Sequence, residues 1–240
     1  SGCDPFQNSH ASYYHNSVGG YHPAKLAIYN DLIEHQLAKG NQEVYNMLNT
    51  KYIIQKSRDG REDVAVLNPG AFGSCWLVSS VKVVPTADGE MAALDSLNLR
   101  DTAVVQQSFM KDIPFLPVKD STASLKLIEN LNDKITYQFQ AKTNQFAVFS
   151  EIYYSEGWEA YIDGKRSPYA KVDYVLRGMA VPAGAHTIEF RFQPHSFILG
   201  NEISVWAAVI TYLLLIGALV QLIRKKRVQT VNPSTVNQSK

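Results

Sequence analysis

The 240 residues carry 23 Lys and Arg against 22 Asp and Glu, but every acid lies at or before Glu202 while five of the cations lie beyond it. The larger part of the chain is therefore mildly acidic, which excludes nucleic acid as a partner, since that affinity is built from many Lys and Arg contacts to phosphates. Two cysteines, Cys3 and Cys75, exclude a disulfide-stapled scaffold and leave a single bridge between them open.

Residues 8–21, NSHASYYHNSVGGY, form a loop dense in hydroxyls, His and aromatic rings. A helix is expected over 23–39, with Pro23 at the first helical position, Gly40 as the stop, and Leu26, Tyr29, Ile33 and Leu37 on one face. Asn41 suits the N-cap of a second helix over 42–48. Strands are expected at 51–55, 64–67 and 76–84, with a turn at Asn68-Pro69-Gly70. Asp88 is placed as the cap of a helix over 90–97, and 102–107 returns as a strand. Residues 1–112 thus form a mixed α+β unit.

Beyond Pro114 and Pro117 only strands are expected. Ile135, Tyr137, Phe139 and Ala141 alternate with polar residues, as do Ile188, Phe190 and Phe192, and this period of two gives one buried and one wet face. Further strands fall at 146–153, 158–162, 165–172 and 174–181. The Asp163-Gly164 pair marks a hairpin. Residues 113–200 therefore read as an antiparallel β-sandwich of the jelly-roll or carbohydrate-binding-module kind, and the fold class is α+β. Ile203 to Ile223 has no charged side chain and is long enough to span a hydrocarbon core of about 30 Å. A transmembrane helix is expected over 201–224. Arg224 to Arg227 place the tail, 225–240, in the cytoplasm as a disordered basic segment and residues 1–200 on the outer side. The start of the chain shows neither a basic nor an apolar export segment, so it reads as the C-terminal piece of a larger membrane protein.

The chain has no GxxxxGK[ST], HExxH, CxxC or GxSxG pattern, and the spacing of His10, His15, His22 and His35 matches no zinc site, so no catalytic residue, metal or cofactor is assigned. Two stretches are candidates for ligand contact. In the first, Tyr13, Tyr14, His15, Gly19, Gly20, Tyr21 and His22 lead into a helix start, where free backbone amides favour an anion such as a phosphate. An ordered turn packed on the core is the alternative. In the second, Trp158, Tyr161, Tyr174, Arg177 and His186 fall at strand ends and turns of the sandwich. There core packing is the favoured reading, since Trp in a small sandwich is most often core, and contact with a sugar is the alternative.

The segment SYYHNSVGGYHPAKLAIYNDLIEHQLAKGNQEVYNMLNTKYII, with GWEAYIDGK, VLRGMAVPAGAHTIEFRFQP and the apolar helix, resembles the C-terminal part of the bacterial YfhO-like membrane protein family. The resemblance implies a polytopic protein related to GT-C glycosyltransferases, which move a sugar from a polyprenyl-phosphate carrier to an acceptor of the cell envelope. It implies as partners the lipid bilayer, a polyprenyl-phosphate-linked sugar, an envelope glycan and a preceding transmembrane region. The catalytic acid of such enzymes lies in an early outer loop, so this chain would bind or cap substrate and do no chemistry. A membrane-tethered carbohydrate-binding module and a ligand-free assembly domain are the two alternatives.

Overall fold

The computed structural model describes residues 6, 7 and 9–230. Cys3 and the last ten residues of the basic tail lie outside them, and with Cys3 any pairing to Cys75. The chain forms two compact units, residues 1–192 and 193–240.

The first unit is built on two sheets. Strands β6 (Ser124–Asn130), β7 (Lys134–Ala141), β9 (Trp158–Ile162), β10 (Lys165–Arg166) and β13 (Gly184–Phe192) form one, in the order β10-β9-β13-β7-β6, all antiparallel. Strands β3 (Cys75–Val78), β4 (Ser80–Val84), β5 (Thr102–Gln106), β8 (Gln145–Ile152), β11 (Ala170–Val172) and β12 (Leu176–Val181) form the other, in the order β3-β8-β12-β11-β5-β4. Here β4 and β5 are parallel, joined through helix α4 (Ala87–Ala93), and the remaining pairs are antiparallel.

Alternation decides the layers. Ile135, Tyr137, Phe139, Ile188 and Phe190 of the first sheet share a buried cluster with Ala147, Phe149, Met179 and Val181 of the second. Phe149 is the hub, with ring centroids 4.7 Å from Tyr137 and 4.9 Å from Phe190. The intervening residues Phe146, Val148, Leu176 and Ala180 point the other way. They pack with Leu32, Leu37, Val44, Met47 and Leu94 of the helical layer. The six-stranded sheet is thus the middle of three layers, and β8 reads as an unbroken apolar run because both its faces are covered.

The helices of that layer are α2 (Ala27–Leu32), continued by one π turn over Ile33–Leu37, α3 (Gln42–Met47) and α4. A five-residue helix, α1 (His10–Tyr14), precedes them. Asn41 caps α3 as expected, its Oδ1 accepting the Glu43 amide at 3.1 Å. Strands β1 (Tyr52–Lys56) and β2 (Asp63–Leu67) form a separate hairpin, exposed along both strands. Tyr52, Leu67 and Ile54 lie on one face and Ile53 and Val66 on the other, with a Lys56–Asp63 ion pair of 2.8 Å toward the tip.

Several expected elements shift for identifiable reasons. The helix placed over 23–39 starts at Ala27, because the His22 ring accepts the Ala24 amide at 3.1 Å and holds that stretch in a turn. The strand placed over 76–84 divides at Ser79, whose amide turns to the Asp101 carbonyl, so β3 pairs with β8 and β4 with β5. The cap of α4 is Thr86, Oγ1 of which accepts the Gly89 amide, and not Asp88. The stretch 165–172 divides between sheets, β10 in one and β11 in the other, around Pro168, which has no ladder donor. Strand β6 was not expected at all. Pairing also crosses the boundary placed after residue 112, since β3, β4 and β5 complete the sheet of β8, β11 and β12.

The second unit is helix α5, His195–Thr230. Its stretch His195–Lys225 holds an 18-residue window with a mean hydropathy of 2.4 and is long and apolar enough to cross a membrane. Its hydroxyls at Ser204 and Thr211 each bond back to the carbonyl four residues earlier at 2.8 Å, which satisfies them within the helix.

Candidate functional site

The N-terminal loop folds back on α1. Gly20 has φ 120°, and a Cβ there would lie 3.0 Å from Ser12 Oγ, so glycine permits both the backbone conformation and the approach. The Tyr29 hydroxyl donates to the Val18 carbonyl at 2.5 Å and ties the loop to α2, and burial raises that hydroxyl's pKa. Beside this tie lies a cleft of about 490 Å³ lined by Phe6, Gln7, Tyr21, His22, Lys25 and Asn30, with Pro23. Among the described residues its lining holds Lys25 and His22 and no carboxylate. Of the residues anticipated here, Tyr21 and His22 form its wall. Tyr13 and Tyr14 pack edge to face on each other at 4.8 Å, largely exposed, and with His15 and Gly19 they are not among the lining residues. The amides of a helix start, expected to face Gly19-Gly20, are not there: α2 begins at Ala27, and the first free amide of the turn is taken by His22.

The five sandwich candidates are dispersed. Arg177 is buried between the sheets, its guanidinium 4.2 Å from the Trp158 ring centre and 5.1 Å from that of Phe190, with Nε donating to the Ile152 carbonyl. Burial lowers its pKa, and Nη1 has no hydrogen-bond partner. Trp158 is engaged by Arg177 on one side and by Phe192 at 5.3 Å. Tyr161 donates to Glu159 at 2.6 Å and its ring is covered by Arg191 at 4.5 Å. His186 bridges two turns, Nδ1 against Asp163 at 2.6 Å and Nε2 against the Ala183 carbonyl at 3.2 Å. Its hydrogen bond and that of the Thr187 amide hold the Asp163 carboxyl below its ordinary value. Among the described residues no group of three or more His, Cys, Asp or Glu side chains could hold a metal ion.

Tyr174 leads to groups that the sequence did not single out. Asp173 and Tyr174 have φ of 48° and 69°, forming a left-handed corner between β11 and β12. Beneath it, Lys171 Nζ pairs with Glu90 Oε2 at 2.5 Å and donates to the Tyr174 carbonyl at 3.0 Å, while Glu90 Oε1 accepts the Tyr174 amide at 3.0 Å. Lys171 is caged by the Tyr174 ring at 4.8 Å and the Phe109 ring at 5.7 Å. The wholly buried Asp173 accepts the Val104 amide through Oδ1 at 2.8 Å, whereas Oδ2 has no partner. Two carboxyl groups thus lie near one ammonium in the interior, and only that of Glu90 is paired with it. Burial pushes the Asp173 carboxyl up to about 8, and raises that of Glu90 against the pull of Lys171. The Tyr174 hydroxyl donates to Asp31 at 3.0 Å and floors a second cleft of about 450 Å³ between α2 and α4, where Asp31, Asp88 and Asp95 face His35 and Lys39. The signal for this network was weak: an acid at position 173 inside an otherwise apolar run.

These features define a class: an α+β domain of two packed sheets and a helical layer, with one helix among the described residues fit to cross a membrane. Residues 103–204, from β5 to the first turns of α5, match the family model described as Bacterial membrane protein YfhO, and over that stretch the chain is similar to that family. Lys171, Asp173, Tyr174 and Arg177 fall inside the matched stretch, and the Tyr21–His22 cleft falls before it. No curated protein and no solved structure matches the chain.

Proposed function

We propose that this chain is the outer, substrate-capping part of a polytopic membrane protein that transfers a sugar from a polyprenyl-phosphate carrier to an envelope glycan, with its C-terminus in the cytoplasm. The observation that carries the reading is the cleft of Tyr21, His22 and Lys25. It combines two basic side chains, a phenol and the amides of Gln7 and Asn30, with no acid among the described residues of its wall, a set suited to a phosphate bearing a sugar. Arg224 to Arg227, following the apolar stretch, support the orientation. The tethered-module alternative has less to work with, because Trp158 and Tyr161 are covered by arginines. The test is titration of the full chain in detergent with a short polyprenyl monophosphate, followed by the amide resonances of residues 19–25. Saturable shifts that weaken several-fold in Lys25→Ala and His22→Ala are expected. Shifts absent from the wild-type chain refute the reading.

A further inference from the structure

One end of the sandwich differs from the other. Strands β8 and β13 both finish there, at Ile152 and Phe192, and β7, β9 and β12 all begin there. The chain leaves the unit at this end, with only Gln193 and Pro194 between Phe192 and the first residue of α5. Exposed apolar side chains lie at this end, Leu131 in the β6–β7 turn, Tyr154 in the β8–β9 loop and Phe192 itself, as Leu116 and Val118 do at the other, so the chain exit and the hairpin set this end apart. The β1–β2 hairpin is rooted there as well. Ser150 Oγ, near the end of β8, donates to the Met47 carbonyl, and Asn68 Nδ2 joins the two hairpin feet through the Thr50 carbonyl.

That hairpin buries neither face. Tyr52 is 62 %, Ile54 60 % and Leu67 60 % exposed, and a two-stranded ribbon of this kind has no core of its own. Apolar exposure of this extent marks a surface that is covered in use.

We propose that the β1–β2 hairpin, with Leu131, Tyr154 and Phe192, docks on the interfacial zone of the bilayer that α5 is fit to cross. Three observations select a lipid surface as the occupant. The apolar groups are spread over both faces of the ribbon and over adjoining turns, which suits a yielding medium and gives no single flat patch for a second copy to mirror. The chain leads from this end directly into its apolar helix. The ribbon has unpaired edges and an ion-paired tip, Lys56 with Asp63, which water and headgroups satisfy and hydrocarbon does not. The ribbon therefore lies at headgroup depth, with its side chains reaching toward the acyl boundary.

The test uses the full chain with Cys3→Ser and Cys75→Ser, reconstituted in nanodiscs of phosphatidylcholine and phosphatidylglycerol. An environment-sensitive fluorophore is placed singly through Ile54→Cys, Leu131→Cys or, at the opposite end of the sandwich, Leu116→Cys. Lipids carrying a nitroxide near the headgroup should quench the first two labels several-fold more than the third, and iodide should quench them less. Equal lipid quenching at all three sites overturns the proposal. Protection from iodide without lipid quenching also overturns it, and shows that protein covers the hairpin. If that protection scales with the number of chains per disc, the cover is a second copy.

Discussion

Asp173→Asn tests how the buried corner is held. The wild-type carboxyl titrates at about 8 in the folded chain against an ordinary 3.8, because burial disfavours its charge more than the Val104 amide favours it. A group whose folded pKa is raised contributes stability that is complete below the unfolded value and is lost as pH rises through the folded one. Folding at pH 7 therefore requires Asp173 to take up a proton about three pH units above its solvated pKa, a cost of about 4 kcal/mol at roughly 1.4 kcal/mol per unit. Asparagine keeps the Oδ1 acceptor, tolerates the left-handed φ of 48°, and has no charge to lose. Any penalty for its unpaired amide is the same at every pH. Urea denaturation of the full chain in micelles, followed by the fluorescence of Trp76 and Trp158, should give two profiles. Wild-type stability falls relative to the variant by about 1.4 kcal/mol per pH unit between pH 5 and 7.5. Carboxyls held low, such as Asp120 and Asp163, are common to both chains and cancel in the difference. Parallel profiles would refute the argument and show that Asp173 is ionised in place.

Lys171→Met strands the Glu90 carboxylate in the interior and should destabilise the first unit by about 3–5 kcal/mol in the same assay, most of which a second change, Glu90→Gln, restores. A Glu90→Gln, Lys171→Met chain no more stable than Lys171→Met would show that lost packing, not stranded charge, is the cause. Gly178→Ala places a Cβ 2.7 Å from Val172 Cγ1 and 2.8 Å from the Phe146 ring, so it should cost about 1–3 kcal/mol through overpacking of the middle sheet. An unchanged urea midpoint would mean that β11 and β12 separate more easily than their packing suggests.

What the sequence revealed was local. The alternation in β7 and β13, the Asp163-Gly164 hairpin, with φ of 51° and 77°, the Asn41 cap and the uncharged stretch of α5 all depend on neighbours a few residues apart, and each stands where it was placed. What it concealed depends on distance along the chain. The Asp173 carboxyl meets its amide donor 69 residues away, Lys171 meets Glu90 across 81, and Tyr174 meets Asp31 across 143. Tyr174 was singled out for its ring, yet its hydroxyl, amide and carbonyl do the joining. The boundary placed after residue 112 failed to anticipate the pairing for the same reason: β3 to β5 look self-sufficient until β8 and β11 arrive beside them.

The order of strands in the middle sheet also governs when the domain can assemble. Strands β4 and β5 can meet through their short helical crossover as soon as both exist, but β3 waits for β8 and β5 waits for β11, each about seventy residues later. The five-stranded sheet waits longer still, since β13 lies at its centre and is the last strand made. Loop closures of this span are slow, and the waiting edges are open to wrong partners. Condensation of the domain thus falls at the moment when the apolar helix is next in line, so maturation of the two-sheet domain and emergence of that helix are nearly simultaneous events in the life of the nascent chain.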